Sequence, residues 1–146
     1  MTHSSTVLIV EDEKNLADLF GIWLQEQFEV HVAYAGEDAL EIFAEESIDI
    51  VLLDRRMPGL SGTEVLQSIR EGGDAQQVIM VTAVQPTEDL ASIDVDDYLL
   101  KPIDRTKLLR AVEAAELVLT YEDSLTELLS LTARKATLEA NLDKTE

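Results

Sequence analysis

The sequence has no cysteine, few aromatic residues and no long apolar run. Without cysteine among its 146 residues, the chain cannot form disulfide bonds or thiolate metal sites. Its longest aliphatic runs, such as residues 7–10, have four residues, whereas a membrane-spanning helix needs about 20. The first residues lack the charged start and the apolar stretch of a signal peptide. We therefore expect a cytoplasmic protein without membrane contact.

Basic residues are scarce as well. Thirty acidic residues stand against eleven basic ones, which gives a net charge of −19, and both halves of the chain carry the excess. Such a surface repels nucleic acid and anionic lipid, so no direct nucleic-acid contact is expected within these residues. Only five of the basic residues are lysine. This composition favours a halophilic protein, because molar salt screens self-repulsion; an ordinary acidic protein is the alternative.

Short apolar runs alternate with amphipathic segments along the first two thirds of the chain. Such runs are typical of strands in a parallel sheet that is covered on both faces. The five runs are residues 7–10, 30–33, 48–53, 78–81 and 98–100. Helical spacing follows the first three, as in Leu16, Leu19 and Phe20. The pattern predicts a doubly wound α/β fold of five strands, with a short fourth helix after Pro86.

The last part of the chain predicts one long helix. Asp104 is a suitable N-cap, and neither proline nor glycine occurs from Arg105 to Leu142. A heptad-like seam comprises Leu117, Tyr121, Ser124, Leu128, Leu131, Lys135, Leu138 and Leu142. It predicts a coiled coil and a homodimer through this helix; a helix that folds back on its own domain is the alternative. We expect one domain over residues 5–115 and a helical extension over 116–146.

Polar residues follow four of the predicted strands. They are Glu11, Asp12 and Glu13, then Asp54, then Thr82 and Ala83, and finally Lys101 and Pro102. Because ligands of such folds bind at the carboxyl ends of the strands, these side chains are expected to share one pocket. Clustered carboxylates favour a bound cation, and a site with only oxygen ligands favours Mg²⁺. A carboxylate beside Mg²⁺ can accept a phosphoryl group while a lysine and a hydroxyl stabilise the transferred oxygens.

Four segments resemble the receiver domain of two-component response regulators. They are residues 7–13, 52–59, 81–83 and 97–102, which occur in the order and at the separations typical of that family. The resemblance covers roughly residues 5–115. It implies a CheY-like fold with sheet order 2-1-3-4-5. It also implies a phosphorelay protein that accepts a phosphoryl group and is not an enzyme in its own right.

The resemblance implies a metal site in this pocket. Glu11, Asp12 and Asp54 would hold Mg²⁺ through their carboxylates, and Arg56 would contribute its backbone carbonyl. Glu11 departs from the aspartate that is commoner in the family. Arg55 and Arg56 place two positive charges beside the acceptor; we interpret Arg56 as a shield of the phosphoryl group against water, and a solvated loop is the alternative.

The resemblance also implies the residues that handle the phosphoryl group. Asp54 would be the phosphoacceptor, while Thr82 and Lys101 would contact the phosphoryl oxygens. Tyr98 would turn together with Thr82 when the domain is activated. The donor would be the phosphohistidine of a sensor histidine kinase or a small acyl phosphate. A scaffold with a receiver fold that works without phosphorylation is the alternative function.

The chain from about Arg105 onward resembles the opening helix of the haloarchaeal HalX domain, which follows receivers. This match is less specific because it rests on a charged helix. The stretch from Thr82 to Lys101 is shorter than in most receivers. Many receivers dimerise through their fourth and fifth helices. The shorter stretch argues against that dimer here and favours dimerisation through the long terminal helix.

Overall fold

The computed structural model describes residues 5–72, 76–83 and 95–144, with side chains described up to residue 133. Its elements, in chain order, are β1 (Thr6–Val10), α1 (Lys14–Leu24), β2 (Glu29–Ala33), α2 (Gly36–Glu45), β3 (Ile50–Asp54), α3 (Gly62–Glu71), β4 (Gln77–Thr82), β5 (Asp97–Leu100) and α4 (Arg105–Lys144). All strands pair in parallel in the order β2-β1-β3-β4-β5. The predicted doubly wound fold and its sheet order are therefore confirmed. The short helix predicted after Pro86 lies outside the described residues.

The interior strands owe their position to residues that are apolar on both faces. Every residue of β3 and β4 is buried, and the core continues into α3 through Val65, Leu66 and Ile69. β3 begins at Ile50, two residues later than the apolar run suggested. Asp49 lies just before this start, and its carboxylate accepts a hydrogen bond of 2.8 Å from the backbone N–H of Thr6.

Two of the helices begin with side-chain caps. Ser61 Oγ accepts a hydrogen bond of 3.2 Å from Glu64 N at the start of α3. Asp104 Oδ1 accepts one of 2.7 Å from Lys107 N at the start of α4, which confirms the predicted cap. Both contacts satisfy a backbone donor that the first helical turn leaves unpaired. Leu108 and Val112 of α4 are fully buried in the core.

The chain forms two compact units, Met1–Glu116 and Leu117–Glu146. The first contains the whole sheet, and the second consists of helical residues from α4. In the described ranges, no helix combines the length and the apolar character needed to cross a bilayer.

Candidate functional site

The carboxyl ends of four strands surround a cavity of about 230 Å³ in the first unit. The parallel register brings these ends to one level, since Asp54 lies opposite Val81 and Thr82 lies opposite Leu100. The cavity is lined by Glu11, Asp12, Glu13, Asp54, Arg55, Arg56, Thr82, Ala83 and Lys101. All the acidic and hydroxyl side chains predicted for the pocket therefore lie around one hollow, together with the predicted lysine.

Lys101 lies between two buried carboxylates. Its Nζ atom is 2.9 Å from Glu11 Oε1 and 3.7 Å from Asp54 Oδ1. Its backbone N–H donates a hydrogen bond of 2.8 Å to Thr82 O, which fixes the start of the side chain, and the Lys101–Pro102 peptide bond is cis. The contact with Glu11 is a close salt bridge. One ammonium group thus balances two negative charges at close range.

Burial and crowding alter the protonation of these groups. Desolvation, followed by the neighbouring Glu11 carboxylate, raises the pKa of Asp54 to about 7, and the opposing charge of Lys101 lowers it by less. For Lys101, burial lowers the pKa, but the pairing with Glu11 and the charge of Asp54 outweigh it and hold the pKa above the ordinary value. The cavity therefore has an excess of negative charge that an added cation would relieve.

The carboxylates fit a divalent ion. Glu11, Asp12 and Asp54 each offer an oxygen, and these oxygens lie within 4.8 Å of one another. Glu11 and Asp54 are buried, whereas Asp12 is exposed and leaves a side open to solvent. Such a set of oxygen ligands suits Mg²⁺, which keeps several of its own waters. No other group of three potential ligands occurs in the described part of the chain.

The remaining predicted residues occupy different positions. Thr82 is buried and lines the cavity, while Tyr98 is partly buried against the core and does not line it. Arg56 is exposed at the cavity mouth, and Arg55 is half-buried beside it. The structure thus brings Thr82 to the carboxylates and leaves Tyr98 outside the lining of the cavity.

Gly62, the first residue of α3, belongs to the site although the sequence pattern did not predict it. A Cβ atom at this position would lie 2.2 Å from the backbone oxygen of Asp54 and 2.8 Å from Arg55 Cα. The Gly62 N–H donates a hydrogen bond of 3.0 Å to Arg55 O. α3 therefore packs directly against the backbone that carries Asp54. The only feature of the sequence that could have indicated this contact is a glycine at the start of a helix, eight residues after Asp54.

Substituting Gly62 with alanine is expected to destabilise the protein by about 2–3 kcal/mol. It should also weaken divalent-ion binding about tenfold, because the new methyl group displaces the backbone that carries Asp54. Denaturant unfolding and Mg²⁺ titration by calorimetry would measure the two effects. Gly72→Ala is the matched control, since its Cβ would be 3.2 Å from Ile69 O at a helical φ of −68°. Equal losses in both variants would contradict a special role for Gly62.

Comparison with known proteins identifies the class of this domain. The family model of the response regulator receiver domain matches residues 7–113, and the chain therefore belongs to this family. Receiver domains are signalling domains rather than classical enzymes; they bind Mg²⁺ at an acidic pocket and interact with sensor histidine kinases.

Individual relatives agree with this assignment. A Haloferax volcanii protein, provisionally named a transcriptional regulator, is 39% identical over 135 residues, which cover 92% of this chain and 23% of that protein. Response regulator ArlR of Staphylococcus saprophyticus is 37% identical over 112 residues, or 74% of this chain and 50% of ArlR. The chain thus spans about a quarter of the length of the Haloferax volcanii protein and about half of the length of ArlR.

Solved structures show the same fold. The receiver domain protein of Methanospirillum hungatei superposes with a TM-score of 0.71 at 25% identity, covering 77% of this chain and 93% of its own. TrrA of Thermotoga maritima, solved in complex with Mg²⁺ and BeF, superposes with a TM-score of 0.70 at 35% identity. That match covers 76% of this chain and 98% of TrrA.

Proposed function

We propose that this chain is the phosphoacceptor receiver of a two-component phosphorelay and that Asp54 accepts the phosphoryl group. The observation that carries the proposal is a buried carboxylate at a strand end, 3.7 Å from the Lys101 ammonium and beside two further carboxylates. Phosphoryl transfer depends mainly on alignment of the nucleophile with the phosphorus atom and on neutralisation of the charge on the phosphoryl oxygens. The cavity offers both at Asp54.

Glu11, Asp12 and Asp54 are the residues that would hold Mg²⁺, with the backbone carbonyl of Arg56 as a further ligand. The support for this set is the close approach of the three carboxylates, two of which are buried. When bound, Mg²⁺ neutralises charge on the phosphoryl oxygens. An added cation also lowers the pKa of Asp54, so that more of it is the ionised nucleophile at neutral pH.

The transfer itself is a simple displacement. An oxygen of the Asp54 carboxylate forms a bond with phosphorus, and the bond from phosphorus to the donor breaks. With a histidine kinase as donor, that bond is P–N, and the released histidine nitrogen takes a proton from solvent. Lys101 would stabilise one phosphoryl oxygen by its charge, and the Thr82 hydroxyl would donate a hydrogen bond to another.

The proposed output of this step is a switch of surface conformation. Thr82 lines the cavity, and Tyr98 lies on the adjacent strand, partly buried against the core. A phosphoryl group that draws the Thr82 hydroxyl inward frees the space into which Tyr98 can turn. The face next to the last helix would then change, and the shift is limited by the difference in contacts between the two states.

The segment after the receiver is proposed to be a separate part of the protein. We assign residues 5–115 to the receiver and 116–146 to a helical extension that begins a HalX-like output region. The Haloferax volcanii relative supports this division, because its match covers 92% of the chain, whereas the family model ends at residue 113. We propose that a sensor histidine kinase is the upstream partner.

Incubation with acetyl phosphate and Mg²⁺, followed by intact mass measurement, tests the function directly. We expect the mass of one added phosphoryl group in the native protein, none in Asp54→Asn and none after chelation. Lys101→Ala should accept the group about a hundredfold more slowly, because one phosphoryl oxygen loses its counter-charge.

Lys107→Ala is the matched control for Lys101→Ala. Lys107 Nζ donates to Leu100 O at 2.7 Å, so the variant removes a lysine from the same region without touching the cavity, and its rate should be native. No added mass in the native protein, or the same mass in Asp54→Asn, would replace the proposal with the phosphorylation-independent scaffold.

A further inference from the structure

The second compact unit exposes an unusual number of large apolar side chains. Seven of them lie within fifteen residues of α4 and are between 41% and 70% exposed: Leu117, Val118, Tyr121, Leu125, Leu128, Leu129 and Leu131. Single exposed apolar residues are common on protein surfaces, but a contiguous patch of several hundred Å² marks an interaction site.

These seven side chains share one face of the helix, which we call the apolar face. At about 100° per residue they fall within an arc of roughly 160°. Leu117, Tyr121, Leu128 and Leu131 belong to the seam predicted from the sequence. Val118, Leu125 and Leu129 widen the face beyond a narrow coiled-coil seam. The acidic residues Glu122, Asp123 and Glu127 project outside this arc.

The area of the apolar face matches the requirement of a dimer. Each of the seven side chains exposes on the order of 100 Å², so the face offers roughly 700 Å² per chain. Two such faces packed together would bury about 1,400 Å². Stable, specific protein interfaces bury about 1,200–2,000 Å² in total. One further copy of the same face is therefore sufficient to cover it.

The charge of the helix argues against a membrane or a nucleic acid as the partner of the apolar face. Residues 117–133 contain three acidic residues and no basic residue. A helix that lies on a membrane carries lysine and arginine beside its apolar face, because these residues attract anionic lipid. The same argument disfavours nucleic acid. An acidic helix of this kind packs against protein.

We propose that the apolar face of α4 pairs with the same face of a second copy of this chain, and that salt strengthens the pairing. The apolar contact supplies the attraction, and the acidic residues beside it repel those of the partner at low salt. The Debye length falls from about 10 Å at 0.1 M salt to about 3 Å at 1 M, so molar salt removes most of this repulsion. The dimer does not depend on Asp54 or on the proposed phosphoryl transfer.

Sedimentation equilibrium of the full chain tests the pairing. In 2 M KCl we expect the mass of two chains. In 0.1 M KCl the dissociation constant of the dimer should be about tenfold larger than in 2 M KCl. Leu128→Glu places a charge in the centre of the apolar face and should weaken association at least about a hundredfold. Tyr121→Glu, two turns earlier on the same face, should act in the same direction.

Ser130→Glu is the matched control, because it adds the same charge two residues from Leu128 on the opposite side of the helix. It should keep the two-chain mass, and circular dichroism should show native helix content in all three variants. The proposal fails if the chain has the mass of one copy up to 2 M KCl, or if Leu128→Glu retains the two-chain mass. Binding of the native chain to phosphatidylcholine–phosphatidylglycerol vesicles, lost in Leu128→Glu, would equally overturn it. Phosphoryl acceptance by Leu128→Glu should be native, which separates this test from that of the proposed function.

Discussion

Asp54→Asn is expected to stabilise the metal-free protein at pH 8 by on the order of 2–4 kcal/mol, although it removes the proposed phosphoacceptor. Asp54 is only 6% exposed, and its negative charge shares one lysine with Glu11. Asparagine has nearly the same shape but no charge. The substitution therefore relieves a repulsion that the native residue maintains for function.

The effect should depend on pH in a defined window. The pKa of Asp54 is about 7 in the folded protein and 3.8 in the ordinary carboxyl group. Between these values the folded state keeps a proton that the unfolded state has released, so the stability of the native protein falls as the pH rises from about 4 to about 7. The asparagine of the variant has no such proton to lose. Its advantage should be absent below pH 4 and complete above pH 7.

Urea unfolding in EDTA at several pH values would measure this difference. Glu113→Gln is the matched control, since it removes one negative charge from an exposed position on α4 outside the apolar face and should change stability by less than about 0.5 kcal/mol at every pH. A gap between native and Asp54→Asn that does not change with pH would contradict the raised pKa.

The sequence predicted the fold well because the decisive residues act locally. Apolar runs define buried strands without reference to the rest of the chain, and Ser61 and Asp104 cap helices through contacts three residues away. The start of β3 was predicted two residues early because the point where a strand begins depends on its pairing partners, here the backbone around Thr6, 43 residues before Asp49. A contact of that range has no signature in the local pattern.

The composition of the site was predictable, but its energetics were not. Strand ends that meet at one rim were enough to bring Glu11, Asp54 and Lys101 together. The sequence could not say that Glu11 would be buried with Lys101 at 2.9 Å, or that Asp54 would have a pKa near 7. Both depend on how closely side chains pack in three dimensions. The contact of Gly62 with the Asp54 backbone escaped prediction for the same reason.

Thermal stability should increase strongly with salt, by at least about 10 °C between 0.1 M and 2 M KCl. Even if every lysine and arginine neutralised one acidic residue, the surplus of −19 would remain. The folded chain concentrates this surplus more than the unfolded chain does, so self-repulsion lowers the free energy of unfolding. Screening at molar salt should restore about 3 kcal/mol or more, which corresponds to several degrees for each kcal/mol in a chain of this size.

The C-terminal half of α2 offers a way to separate screening from other effects of salt. Glu41, Glu45 and Glu46 are exposed there, and no basic residue occupies the last turn of the helix. Negative charges one turn apart near a helix C-terminus are unfavourable at low salt. Replacing all three by glutamine should raise the melting temperature in 0.1 M KCl and leave it nearly unchanged in 2 M KCl.

The matched triple substitution to aspartate keeps every charge and should keep the full dependence on salt. Scans of the native chain and both triple variants should be made in the Leu128→Glu background, so that dimer formation does not contribute to the apparent stability. Sucrose at equal osmolality controls for solute exclusion, which stabilises folded proteins whatever their charge. A melting temperature that rises as much in sucrose as in KCl, or equally in the glutamine and aspartate variants, would show that repulsion among the acidic residues does not limit the stability of this fold.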